Sequence, residues 1–336
     1  MSVAELSARD DSAPIRKERS LWSESLIRLL KNKAAVVSMI FIGLLGLGAI
    51  FAPLVSNFDP AEQDLLATSA VPRWMLFLLP ENAENYARFS EKYPFGADNL
   101  GRDLWSRTLH GARISLSVAI VASTVSLLVG TAYGSISGYL GGNTDNFMMR
   151  IVDFLYAFPF IITVILLQAY FKAIARSGEG TGIVGAMINL NNDMGGLLFL
   201  FVAIGLLNWI GMSRIARGQV LSYKQKEFVE AARAMGANDT RIMSKHLLPN
   251  IIGPLIVAET LAISGYIFLE AFLSFIGLGV DAPTPSWGIM ISEGVQGLRS
   301  YPNQVLVPAA FLSLTVLAFN FLGDGLRDAF DPKMKE

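Results

Sequence analysis

The sequence predicts an all-α membrane protein: six transmembrane helices, preceded by an amphipathic helix lying on the membrane surface. Three observations carry this. The 336 residues are 52% hydrophobic and only 16% charged, against about 25% charged in a typical soluble domain. Six windows free or nearly free of charge are each long enough to hold the roughly 20 apolar residues that a crossing helix needs. Lys and Arg are concentrated in alternate connections between those windows, the pattern that sets orientation in a bilayer.

Taken in order, residues 1–33 hold seven Lys/Arg. Within them LWSESLIRLL places Trp22, Leu26, Leu29 and Leu30 on one helical face, with Arg28 and Lys31 near the headgroups, which is an interfacial helix. The first span, 34–56, lies in the window Ala34–Phe58. It is too long for a signal-peptide core and no small-residue cleavage site follows, so it is read as retained. The loop 57–112 carries five Lys/Arg against eight Asp/Glu and is assigned to the outer side. Its apolar run Trp74–Pro80 is too short to span and reads as an outer-surface helix or a partner contact. The core, 113–324, supplies the other five windows: Ile114–Thr144, Phe154–Phe171, Met194–Ser213, Ile251–Gly277 and Val305–Leu322. Residues 325–336 form a tail. An even number of spans puts both termini on one side. The segment 214–245 holds seven Lys/Arg while 277–304 holds only Arg299, so that side is the cytoplasm.

Several function classes are excluded. There is no cysteine, and His110 and His246 are the only histidines, so neither thiolate chemistry nor a multi-histidine metal centre is expected. A net charge of −1 gives no bulk attraction to nucleic acid. No G-x-x-x-x-G-K-[ST], H-E-x-x-H or G-x-S-x-G is present, and the glycine-rich Ser177–Gly185 lacks the lysine of a phosphate loop. The chain itself is therefore not expected to be an enzyme or to hold a cofactor.

The stretch KEFVEAARAMGANDTRIMSKHLLPN, Lys226–Asn250, is polar and rich in helix formers between two very apolar segments. Gly236 suits a helix C-terminus, Asn238 or Asp239 an N-cap, and Pro249 a stop. The result is a helix–Gly–helix elbow, far longer than a plain connector needs to be. EAARAMG, nine residues and then HLLP resembles the EAA loop of ABC importer permeases, with His246 at a position that is usually Ile. FGADNLGRDLWSR, GARISL, YGSISGYLGG, LEAFLSFIGLG and GDGLRDAFDP resemble the dipeptide/oligopeptide/nickel branch, and most closely the C-type subunit of oligopeptide permeases. The matching stretches extend over about 95–335.

That resemblance implies a type I ABC importer permease-like bundle in the bacterial inner membrane, with a coupling loop at 214–249. Glu230, Ala231, Ala232 and Gly236, with Pro249 closing the elbow, would dock on a separate ATPase subunit. It further implies a second permease subunit, two ATP-binding subunits that hold ATP and Mg, and a periplasmic or lipid-anchored peptide-binding protein. Dipeptides, nickel or another small solute are alternative cargoes.

Three further features stay open at this level. Glu259 and Glu270 lie eleven residues apart inside the fifth span, where an unpaired carboxylate costs several kcal/mol. They line a translocation path, relay protons or bridge helices at a subunit seam. The seam reading is preferred for Glu270, and neither is preferred for Glu259. As proton sites they would instead suit an ion-coupled secondary transporter. Gly101, Arg102 and Asp103 form either a contact for the binding protein or a capped turn. Gly130, Gly134 and Gly138 recur every four residues with Ser126, the spacing of close helix packing, here expected in a dimeric core.

Overall fold

The computed structural model describes residues 21–79, 86–177 and 182–330. The basic residues before 21, Pro80, the glycine-rich 178–181 and the tail from 331 lie outside the described residues. Among the described residues, eleven helices of eight or more residues organise the fold: α1 (Leu21–Lys31), α2 (Lys33–Ile50), α3 (Leu104–Leu140), α4 (Gly142–Tyr156), α5 (Phe160–Ser177), α6 (Gly182–Asp193), α7 (Leu197–Tyr223), α8 (Glu227–Ala234), α9 (Asp239–Phe275), α10 (Trp287–Gly294) and α11 (Asn303–Phe330). Among the described residues α2, α3, α5, α7, α9 and α11 are long and apolar enough to cross a membrane, the six spans expected.

Helix α1 is amphipathic in place as well as in sequence. Leu29 packs on Ala35 and on Ala329 of α11, while Leu26, Ile27 and Leu30 are exposed, the side offered to lipid. Asn32 then caps α2, accepting from the amide of Ala35 at 3.2 Å. The segment between α2 and α3 is irregular. Its run at Trp74 is a short 3-10 turn, Arg73–Leu78, rather than an α-helix. Asn303, at the start of α11, donates to the carbonyls of Ala70 and Phe95 and so fastens this segment to the bundle.

Helices run past the charges that bracket the apolar windows. Helix α3 begins at Leu104, ahead of the window's start at Ile114, and α7 continues through Arg214 and Arg217 to Tyr223. Arg107, Arg214 and Arg217 are ion-paired where the helices carry them, while Arg113 is exposed. The largest correction concerns Pro249, which does not end the elbow's second helix: one helix, α9, runs from Asp239 to Phe275. A widened π turn, Ile242–Leu247, immediately precedes the proline and relieves the clash it makes with the preceding turn. Asn250 also donates its side-chain amide to the carbonyl of His246, at 2.6 Å.

Helices α3, α7 and α9 enclose the core, in which Leu200, Ile204, Ile267, Leu273 and Trp287 are fully buried. The glycine stripe of α3 faces α7 of the same chain, not a dimer partner. A Cβ at Gly130 would stand 2.6 Å from Cβ of Met212, and one at Gly134 would collide with the carbonyl of Ser213.

Candidate functional site

The elbow is built by local rules. Glu227 and Glu230 stand in the first turn of α8 and Arg233 in its last, the arrangement that complements the helix dipole. Gly236 takes φ +82°, and the amides of Gly236 and Ala237 bond back to the carbonyls of Arg233 and Ala232, closing the helix in a Schellman motif. Asn238 caps α9 by accepting from the amide of Arg241 at 2.9 Å. Val229 is buried against Ile242, Leu247 and, from α7, Met212, Ala216 and Val220, and Ala232, three residues on and so on the same face, is buried too.

This geometry divides the expected docking residues. Glu230, Ala231 and Gly236 are exposed. Ala232 is not: it sits 2% exposed on the packing face, and the smooth outer patch consists of Ala231 with Met235, which is 80% exposed. Pro249 lies beyond the elbow, inside α9.

Three ionic or polar clamps tie the elbow region to its neighbours, and sequence reasoning did not find them. Tyr139, at the end of α3, donates its hydroxyl to Asp239 at 2.6 Å, and Lys224 donates to the carbonyl of Tyr139 at 2.8 Å. Arg217 donates twice to Asp145 on α4, both at 2.6 Å, and Ser137 adds a third bond at 2.5 Å. The Arg217 hydrogen bond is the main reason the Asp145 carboxyl lies below its ordinary range, with burial opposing it. Arg214 pairs with Asp153 at 2.6 Å and lies over the Tyr156 ring at 4.3 Å. Such pairs were hidden because their partners lie tens of residues apart in the chain.

Within the membrane region, Glu259 and Glu270 are both buried and both partnered inside the chain. Glu259 accepts from Ser126 on α3 at 3.0 Å and from Tyr266 on α9 at 2.9 Å. Glu270 accepts from Ser115 on α3 at 2.6 Å and from Ser274 on α9 at 2.7 Å. Both therefore bridge helices, but the seam is between α9 and α3 of one chain rather than between subunits. A separate half-open cavity of about 510 Å³ lies between the α4–α5 connection and α7, lined mainly by Tyr156, Phe158, Pro159, Phe160, Leu207 and Asn208.

At the opposite end of α3, Asp103 is its N-cap, accepting from the amides of Ser106 and Trp105, and burial pushes its carboxyl upward. Arg102 is buried and pairs with Asp98 at 2.6 Å and with Glu293 of α10 at 2.9 Å. Arg107 joins the same two carboxylates. Gly101 takes φ +79° against the carbonyl of Asp64. These three residues thus form a capped, ion-paired turn with little side chain left on the surface. Asp98 and Glu293 are the members that sequence reasoning missed.

Residues 130–336 match the family described as binding-protein-dependent transport system inner membrane component, and residues 20–77 match the N-terminal membrane domain of oligopeptide transport permease C. The chain is 40% identical to the oligopeptide transport system permease protein OppC of Bacillus subtilis (strain 168), over 99% of this chain and 96% of that protein. It is 41% identical to OppC of Escherichia coli (strain K12), over 94% and 92%. It is 38% identical to the dipeptide transport system permease protein DppC of Bacillus subtilis (strain 168), over 97% and 90%.

Proposed function

Because the chain belongs to the family of binding-protein-dependent transport system inner membrane components, we propose that it is the C-type permease subunit of an ATP-driven importer of oligopeptides. It is a multi-pass membrane protein. The charge asymmetry supports a cytoplasmic position for both termini and for the elbow, in the bacterial inner membrane. One chain with six spans encloses little by itself. The reading adds a second permease subunit, two ATPase subunits that bind ATP and Mg, and an external peptide-binding protein.

The observation that carries the mechanism is the elbow. Glu230 and Ala231 project from a short helix that is capped at its end, buried on its other face and joined through the Gly236 turn to α9, which includes a membrane span. A surface held in that way transmits force. ATP binding closes the ATPase pair, the elbows move with it, and the bundle passes from inward- to outward-facing so that peptide enters from the binding protein. ATP and the loaded binding protein shift this equilibrium only if both prefer the outward-facing state. Dipeptides are the second cargo, supported by the 38% identity to a dipeptide permease.

The test reconstitutes the complete importer in liposomes with Glu230→Lys or Gly236→Pro in this chain. Proline fixes φ near −65°, whereas position 236 needs +82°. Membrane insertion should be unchanged, and peptide taken up per ATP should fall at least about tenfold. Uptake at the wild-type level in both variants would overturn the coupling role. Comparing tripeptide with dipeptide uptake by the wild-type complex decides the cargo.

A further inference from the structure

Helices α3 and α9 are equal in length, 37 residues each, and span about 55 Å. They run antiparallel and are joined at three levels. Tyr139 meets Asp239 at the elbow end, Ser126 meets Glu259 in the middle, and Ser115 meets Glu270 beyond it. Ser115 and Ser126 are eleven residues apart, as are Glu259 and Glu270. Eleven residues is close to three helical turns, so each pair occupies one face of its helix and the two ties are in register.

Each tie is closed. Tyr266 and Ser274, both on α9, fill the second oxygen of Glu259 and Glu270 respectively, so neither carboxyl retains an unmet acceptor oxygen. Sliding or rolling α9 against α3 would break these bonds where no water replaces them, which makes the pair stiff. At the far end α10 is attached to both helices. Trp287 donates its indole N–H to the carbonyl of Thr108 at 3.1 Å, and a Cβ at Gly288 would collide with the carbonyl of Ala271.

We propose that Glu259 and Glu270 are positioning residues that make α9 and α3 one lever, so that movement of the elbow arrives undiminished at α10 on the other side of the membrane. This rests on the importer reading above. It gives the two glutamates a mechanical role in transport and removes them from the peptide path.

The sequence has no cysteine, so spin-label pairs can be introduced directly. In the complete importer in nanodiscs, pulsed electron paramagnetic resonance would measure three distances with and without ATP. The pair Ile120–Phe268 lies within the lever, Thr240–Leu166 compares its elbow end with α5, and Val295–Leu166 compares its far end with α5; all five positions are exposed. The wild type should show no change in the first distance and a shift in the other two. With Glu259→Ala and Glu270→Ala together, the Thr240 shift should remain and the Val295 shift should be lost. Glu259→Gln with Glu270→Gln should restore it, because a carboxamide still exchanges hydrogen bonds with these hydroxyls.

A change in Ile120–Phe268 in the wild type would overturn the lever, and so would a Val295 shift that survives the alanines. The first of these needs no variant of the glutamates and stands even if the alanine protein fails to assemble. If ATP moves no pair in the wild-type complex, the importer reading itself fails, and the lever with it.

Discussion

The two ends of the α3–α9 pair are held in opposite ways. At the elbow, an exposed hydrogen bond from Tyr139 to Asp239 and a compact apolar cluster around Val229 and Ile242 do the work, and most of α8 is left bare. At the other end four charges, Asp98, Arg102, Arg107 and Glu293, interlock α3, α10 and the segment before them, with Trp287 buried alongside. The first end presents a surface to be gripped, and its own contacts are modest. The second brings together segments distant in sequence and depends on charges that tolerate no loss of a partner. Along the α3–α9 pair, the charged ties are concentrated away from the exposed face of α8.

The strongest way to break this contrast is Arg107→Ala. Arg107 is 1% exposed, and its loss strips one partner from both Asp98 and Glu293. The expected cost is about 3–5 kcal/mol, read as a large fall in the thermal midpoint of the detergent-solubilised chain. A fall smaller than that of the elbow variants would reverse the comparison.

Next in size is Asp145→Asn, near the elbow. It removes a two-bond ion pair that Arg217 holds partly in solvent, for an expected loss of about 1–2 kcal/mol. The pH dependence sharpens the test. The Asp145 carboxyl is depressed in the folded chain, so its stabilisation is present above the ordinary aspartate range and disappears as pH falls through the lower folded value. Wild type should therefore lose stability below about pH 4 more steeply than Asp145→Asn, when unfolding is followed across an acid series.

The smallest effect belongs to Tyr139→Phe. It deletes one hydroxyl whose partner, Asp239, is exposed and can turn to water. About 0.5–1.5 kcal/mol is expected. Equality with Arg107→Ala would mean that the elbow is as firmly locked as the far end.

Much of this fold is legible in the sequence. Six spans follow from windows without charge, and the elbow follows from Gly236, Asn238 and the helix formers ahead of them. Windows bracketed by charge are narrower than the helices, because a paired charge does not end a helix. Arg107, Arg214 and Arg217 are carried inside helices by Asp98, Asp153 and Asp145, and those partners become neighbours only through tertiary packing. Pro249 misled for a related reason, since a π turn just before it relieves the break that proline normally imposes. The resemblance puts Ala232 on the docking surface, although its three-residue spacing from Val229 marks the inner face, where it is buried. The equal eleven-residue spacings of Ser115 with Ser126 and of Glu259 with Glu270 were visible in the sequence, but nothing in the sequence says that the two sets meet.

The glycine stripe of α3 has a mechanical consequence. At Gly134 the backbones of α3 and α7 are separated by less than the room a methyl group needs. Met212, Ala216 and Val220 of α7 fill the groove that the stripe leaves, so a side chain added at Gly130 or Gly134 would have to push the two helices apart. One open seam is already visible, the aromatic-walled gap between the α4–α5 connection and α7, where Tyr156, Phe158 and Phe160 have space to repack.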